Sequence, residues 1–108
     1  MITPNSSLSQ LQAHVAQAEL ARGFLTQSAA DKCLLLGEEM GELFKAIRKT
    51  SGLAIDPQSQ VGEVGSELAD ILNYLLAIAN RYHIDLGEAF VSKEAVNETR
   101  TWTVGPAS

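Results

Sequence analysis

An all-α fold is predicted by two features of the sequence. Three short motifs have the form of helix starts: Ser7 with Gln10, Ser28 with Asp31, and Asp85 with Glu88. In each, a side chain that caps free backbone N–H groups is followed three positions later by a polar or acidic residue. After each start, apolar residues recur at the spacing of one helix face. A chain of 108 residues suits a single small domain, residues 1–108, with its core at about 7–102.

The first helix is expected from Ser7 to about Thr26, carrying Leu8, Leu11, Val15, Ala18 and Leu25 on its apolar side. His14 has no second ligand nearby and reads as a packed or solvated histidine. The second helix should run to about Lys49, with Cys33, Leu36, Met40, Leu43, Phe44 and Ile47 as its stripe. Cys33 then reads as plain packing. Glu38, Glu39 and Glu42 border that stripe instead of lying opposite it. Gly37 and Gly41 weaken a helix, so they imply close approach by another helix or a ligand. Residues 50–60, with Gly52 and Pro57, form a loop between antiparallel neighbours.

The third helix is expected over Val61–Tyr82. Glu67, Asp70, Ile71, Tyr74, Ile78 and Arg81 share one face, and Leu68, Leu72, Leu75, Leu76 and Ala79 cover much of the rest. A helix apolar on several sides packs against more than one neighbour. Asn73 points away from the acids and suits a polar contact between subunits. The fourth helix should span Leu86 to about Arg100, with Lys93, Asn97 and Arg100 on one face. Trp102 suits a subunit seam, and the last residues, to Ser108, read as a tail.

A net charge of −5 argues against a nucleic acid polymer as partner. One cysteine leaves no internal disulfide and fits a reducing cytoplasm. The N-terminus lacks the basic and apolar regions of a signal peptide. Ile71–Ala79 is too short to span a bilayer. The expectation is a cytoplasmic protein with no membrane partner.

The acids carry the chemistry. Glu39/Glu42 and Glu67/Asp70 are each three residues apart, so each pair shares a helix face. Four carboxylates meeting across two helices repel unless a cation lies between them. Oxygen ligands favour magnesium, with manganese as substitute, and such a site handles a phosphate substrate. Lys93, Asn97 and Arg100 could then grip phosphate oxygens and a base or sugar edge. Tyr74 reads equally as a core tyrosine or a ligand contact. One competing reading is a non-catalytic helical interaction module with solvated acidic faces. Another is a di-iron bundle, but that needs Glu-x-x-His pairs, and neither Glu39 nor Glu67 has a histidine three residues on.

The order E-E-x-x-E, E-x-x-D, K-x-x-x-N-x-x-R resembles the MazG-like, all-α nucleoside triphosphate pyrophosphohydrolases. Here it comprises Glu38, Glu39, Glu42; Glu67, Asp70; and Lys93, Asn97, Arg100. The resemblance implies a four-helix subunit that dimerises, or forms a dimer of dimers, into a bundle. It implies cleavage of a nucleoside triphosphate between the α- and β-phosphates, with magnesium as cofactor and nucleotide-pool house-cleaning as purpose. Glu39, Glu42, Glu67 and Asp70 would hold the metal, and Glu38 or Glu39 would activate water. In the related deoxycytidine triphosphate pyrophosphatases, the positions matching Tyr74, Lys93 and Asn97 contact the nucleotide. The first helix departs from that group, with Phe24 the stand-in for its base-contacting aromatics.

Overall fold

A computed structural model of the chain describes residues 1–102. The expected tail over 103–108 lies outside the described residues. Four helices follow in order: α1 (Leu8–Arg22), α2 (Ala29–Thr50), α3 (Val64–Arg81) and α4 (Leu86–Glu98). All three sequence-marked starts are used. Ser7 Oγ accepts from Gln10 N–H at 3.1 Å, and Gln10 Oε1 accepts from Ser7 N–H at 2.7 Å. Ser28 and Asp31 exchange the same two bonds at 3.1 and 2.9 Å. Asp85 Oδ1 takes the Glu88 N–H at 3.0 Å, while its Oδ2 accepts from Ser9 Oγ at 2.9 Å, tying α4 to α1.

The helix ends differ from expectation for local reasons. α1 stops four residues before Thr26 because Gly23 turns left-handed at φ 76° and the Phe24 N–H closes on Glu19 O. α3 starts at Val64, not Val61, because Glu63 is extended and only its carbonyl enters the helix ladder, accepting from Glu67 N–H at 3.0 Å. α4 ends at Glu98. Thr99 caps it, its hydroxyl donating to Val96 O at 2.6 Å, so Arg100 lies just past the helix.

α2 and α3 form the principal pair and run antiparallel; α1 lies on α3, and α4 packs chiefly on α1. A polar knot fixes the α3–α4 turn. Gln12 donates to Asn80 Oδ1 at 3.1 Å and Ile84 O at 2.8 Å, and accepts from Leu86 N–H at 2.7 Å. Leu86 is the first residue of α4, so Gln12 satisfies one of that helix's free donors. His83, at φ 53°, supplies the left-handed residue of the turn.

The core of one chain is thin. Val15, Leu76 and Ala77 are buried, with Leu8, Leu11 and Leu86 packed on them. The stripe expected to bury α2 is largely open: Cys33, Met40, Phe44 and Ile47 are exposed. Leu68, Leu72 and Leu75 of α3 are exposed as well. Nothing lies within 4 Å of a Cβ built on Gly37 or Gly41, so neither glycine marks a close approach inside the chain. The surface is 8169 Å², against about 5,800 Å² for a compact monomer of this mass. The radius of gyration is 17.3 Å, against about 13 Å for a compact chain of this length. No helix among the described residues is long and apolar enough to cross a membrane.

Candidate active site

The antiparallel pairing of α2 and α3 sets the middle of α2 against the first turns of α3. Glu39, Glu67 and Asp70 thereby each offer a carboxylate oxygen, all within 4.8 Å of one another. Glu67 is 9 % exposed, Glu39 is half-buried and Asp70 is open. One Glu39 oxygen, Oε2, is buried and has no hydrogen-bond partner. Burial above all, then a hydrogen bond with the Glu67 carboxyl and the charges of Asp70, Glu67 and Glu42, push the Glu39 carboxyl up to about 7. Burial, and after it the charges of Glu39, Asp70 and Glu38, push the Tyr74 phenol up from its ordinary value.

A buried acceptor with no donor, within a group of three acids, is what a hard cation would satisfy. The residues therefore fit a divalent ion. Neither histidine belongs to the three-carboxylate group.

The other sequence-marked residues fall at different places. Glu42 lies outside the three-oxygen group: its Oε1 faces Lys45 Nζ at 3.6 Å, one turn on. It acts on Glu39 only through its charge. Glu38 is exposed and bears on Tyr74. Lys93, Asn97 and Arg100 are not brought to the acids within one chain. All three are on or just past α4, which packs chiefly on α1, and Asn97 donates to Glu94 Oε1 at 3.1 Å.

A cleft of about 360 Å³ opens beside the acids, its lining including Glu39, Asp70, Tyr74, Phe24, Gln27 and Lys32. Lys32 Nζ lies 4.9 Å from the centre of the Phe24 ring and 5.6 Å from that of Tyr74. Behind it, Glu19 receives Lys32 Nζ at 3.1 Å and Arg81 at 2.7 and 2.8 Å. That triad joins α1, α2 and α3, and the Glu19 carboxyl is held low, chiefly by Arg81.

Gly62 is a site residue that sequence reasoning overlooked. A Cβ built there would collide with Glu67 Oε1 and lie 3.2 Å from its Cδ. The backbone before α3 thus forms a wall against the Glu67 carboxylate. The Gly62→Ala protein is expected to bind a divalent ion at least about tenfold more weakly, the scale of a perturbed supporting shell. It should melt close to the wild type, because the displaced group is the tip of a flexible side chain. Unchanged ion affinity in that variant would show that Glu67 is not held by this wall.

The raised Glu39 carboxyl has a consequence for stability. Its ordinary value is 4.5 and its folded value about 7. Between these, the folded chain holds a proton that the unfolded chain has released, so this contribution fades as pH rises through 7. In chelator, the melting temperature of the wild type should fall between pH 5 and pH 8, and Glu39→Gln should remove that part of the fall. Parallel pH profiles for the two proteins would contradict it.

The helices and the convergent acids define an all-α domain with a carboxylate-rich cleft. The model of the MazG nucleotide pyrophosphohydrolase domain matches residues 27–100, and the chain belongs to that family. Mouse dCTP pyrophosphatase 1 is 39% identical over 69 residues, 61% of this chain and 41% of the mouse protein. The rat dCTP pyrophosphatase 1 is 37% identical over 71 residues, 62% of this chain and 42% of the rat protein. The matched region thus spans about two fifths of these curated relatives. The crystal structure of iMazG from Vibrio DAT 722 is similar at a TM-score of 0.63 and 29% identity, over 86% of this chain and 95% of that one.

Proposed function

We propose that this chain hydrolyses nucleoside triphosphates between the α- and β-phosphates, releasing the monophosphate and pyrophosphate. Deoxynucleotides such as dCTP or dATP are the substrates in this reading, and house-cleaning of the nucleotide pool is the purpose. The observation that carries it is the group Glu39, Glu67 and Asp70, with an orphaned buried oxygen, beside a cleft that Glu39 and Asp70 help to line. Magnesium is the expected cofactor, with Glu39, Glu67 and Asp70 holding it and Glu42 near enough to add charge. When bound, it supplies charge neutralisation for the phosphates and acidifies water. Glu38, or a carboxylate that holds the metal, takes the proton of the attacking water in this reading. Tyr74 positions the sugar or base.

The exposed leucines of α3 and the excess surface of one chain support a homodimer or homotetramer. In such an assembly Lys93 and Arg100 of a second copy would neutralise charge on the departing pyrophosphate, and its Asn97 would help to place the sugar or base. The test is a panel of ribo- and deoxyribonucleoside triphosphates with magnesium, scored for pyrophosphate against orthophosphate. Pyrophosphate is the expected product; orthophosphate, or no product from any triphosphate, would overturn the reading.

A further inference from the structure

Two cations share one acid where α1, α2 and α3 meet. Arg81 occupies both oxygens of Glu19, at 2.8 and 2.7 Å, and Lys32 Nζ reaches Oε2 at 3.1 Å. Lys32 is nonetheless only 4 % exposed. A shared carboxylate is weak compensation for a buried ammonium. The further compensation comes from two aromatic rings, whose centres lie 4.9 Å (Phe24) and 5.6 Å (Tyr74) from Nζ. A cation within about 6 Å of a ring centre is drawn to the ring face, more strongly where water is excluded. The rings come from different segments, Phe24 from the loop after α1 and Tyr74 from α3, and both line the cleft. Phe24 is also tied by its backbone, its N–H donating to Glu19 O at 2.9 Å and its carbonyl accepting from Arg81 Nη2 at 3.2 Å. The Tyr74 hydroxyl has no such tie: burial and the charges of Glu39, Asp70 and Glu38 act on it, and no hydrogen bond among the described residues does.

Resting on the reading above, in which Tyr74 contacts the nucleotide, we propose that Lys32 is a positioning residue of the cleft. Pinned by Glu19, its ammonium holds the rings of Tyr74 and Phe24 about one centre before the nucleotide arrives. Lys32 acts through Tyr74 and does not itself touch the substrate. Ordering the ring in advance removes a cost that binding would otherwise carry, so the effect falls on KM and not on kcat.

A double-mutant cycle between Lys32 and Tyr74 tests this. It is read on dCTP turnover with magnesium and on the tyrosine band of the near-ultraviolet circular dichroism of the ligand-free protein. Lys32→Met removes the charge and leaves Glu19 bonded to Arg81. It should raise KM about fivefold, in line with one desolvated cation–ring contact, keep kcat within about twofold, and weaken the tyrosine band. In a Tyr74→Leu background the same change should alter KM by less than about twofold and leave the band alone. Lys32→Arg, whose guanidinium also lies on ring faces, should keep KM within about twofold of the wild type. Lys32→Gln keeps a donor for Glu19 without the charge; it should match Lys32→Met, and it carries the cycle if Lys32→Met does not fold. An equal rise in KM in both backgrounds would mean that Lys32 touches the nucleotide or merely supports the fold, and would overturn the proposal. An unchanged KM in Lys32→Met, or a loss as large in Lys32→Arg, would overturn it too. The tyrosine band separates this inference from the reading beneath it. If no triphosphate is hydrolysed, that reading fails. The placement of Tyr74 by Lys32 then stands if Lys32→Met weakens the band only in the protein that keeps Tyr74, and falls if the band is unchanged or changes alike in both backgrounds.

Discussion

Asp70→Asn is expected to cut pyrophosphate release at least about a hundredfold, the scale seen when one preorganised electrostatic group is removed. The same change should raise the melting temperature of the metal-free protein. Both effects have one cause. Asp70 lies with Glu39 and Glu67 inside a 4.8 Å group, and its charge helps to push the Glu39 and Tyr74 protons on more tightly. Without a cation that repulsion destabilises the fold; with one it becomes attraction. Asparagine keeps the shape and an oxygen but removes the charge. The acid limb of the pH–rate profile should also move to lower pH, since Glu39 then ionises more readily. A variant that still releases pyrophosphate at the wild-type rate would show that the three oxygens do not form the reactive centre. One that loses both activity and stability would show that Asp70 is structural.

The acidic pairs were legible because helical spacing is rigid: residues three apart must share a face, and antiparallel neighbours must bring mid-helix residues level. Spacing does not say which of two adjacent rows meets the partner helix. Glu39 faces α3, whereas Glu42 pairs with Lys45 beside it. Gly62 was illegible for another reason, because its closeness to Glu67 depends on an extended segment that a helical pattern over Val61–Tyr82 conceals. The stripe of α2 was read as apolar, and most of it is exposed in one chain. Apolarity along a helix does not say whether a neighbour within the chain lies over that face. A signal for the Glu19 triad did exist: Glu19 follows Val15 by four residues, so it lies on the apolar side of α1, and a charge there requires partners. Its partners, Lys32 and Arg81, come from two other helices, and no local rule finds them.

Glu19→Ala should be the most destabilising single change away from the acids, costing about 3–5 kcal/mol. The Glu19 side chain is 7 % exposed and that of Lys32 5 %, so water cannot replace the lost carboxylate. Arg81 is the hub. Its two bonds to Glu19 are parallel, at 2.7 and 2.8 Å, and its other donors hold Ala77 O, Gln27 O and Phe24 O. Removing Glu19 leaves two cations facing each other at the junction of α1, α2 and α3, and the loop over the cleft loses its anchor. A fall in melting temperature of at least about 10 °C is expected. The denaturant midpoint should drop with an unchanged slope. The pH dependence has the opposite sign to that of Glu39. The Glu19 carboxyl is held below its ordinary 4.5, so its contribution is present above that value and is lost as pH falls through the folded one. The gap between wild type and Glu19→Ala should therefore be widest near neutral pH and close under acid. A gap below about 1 kcal/mol at neutral pH, the level of an exposed ion pair, would mean that the triad does not hold the three helices together.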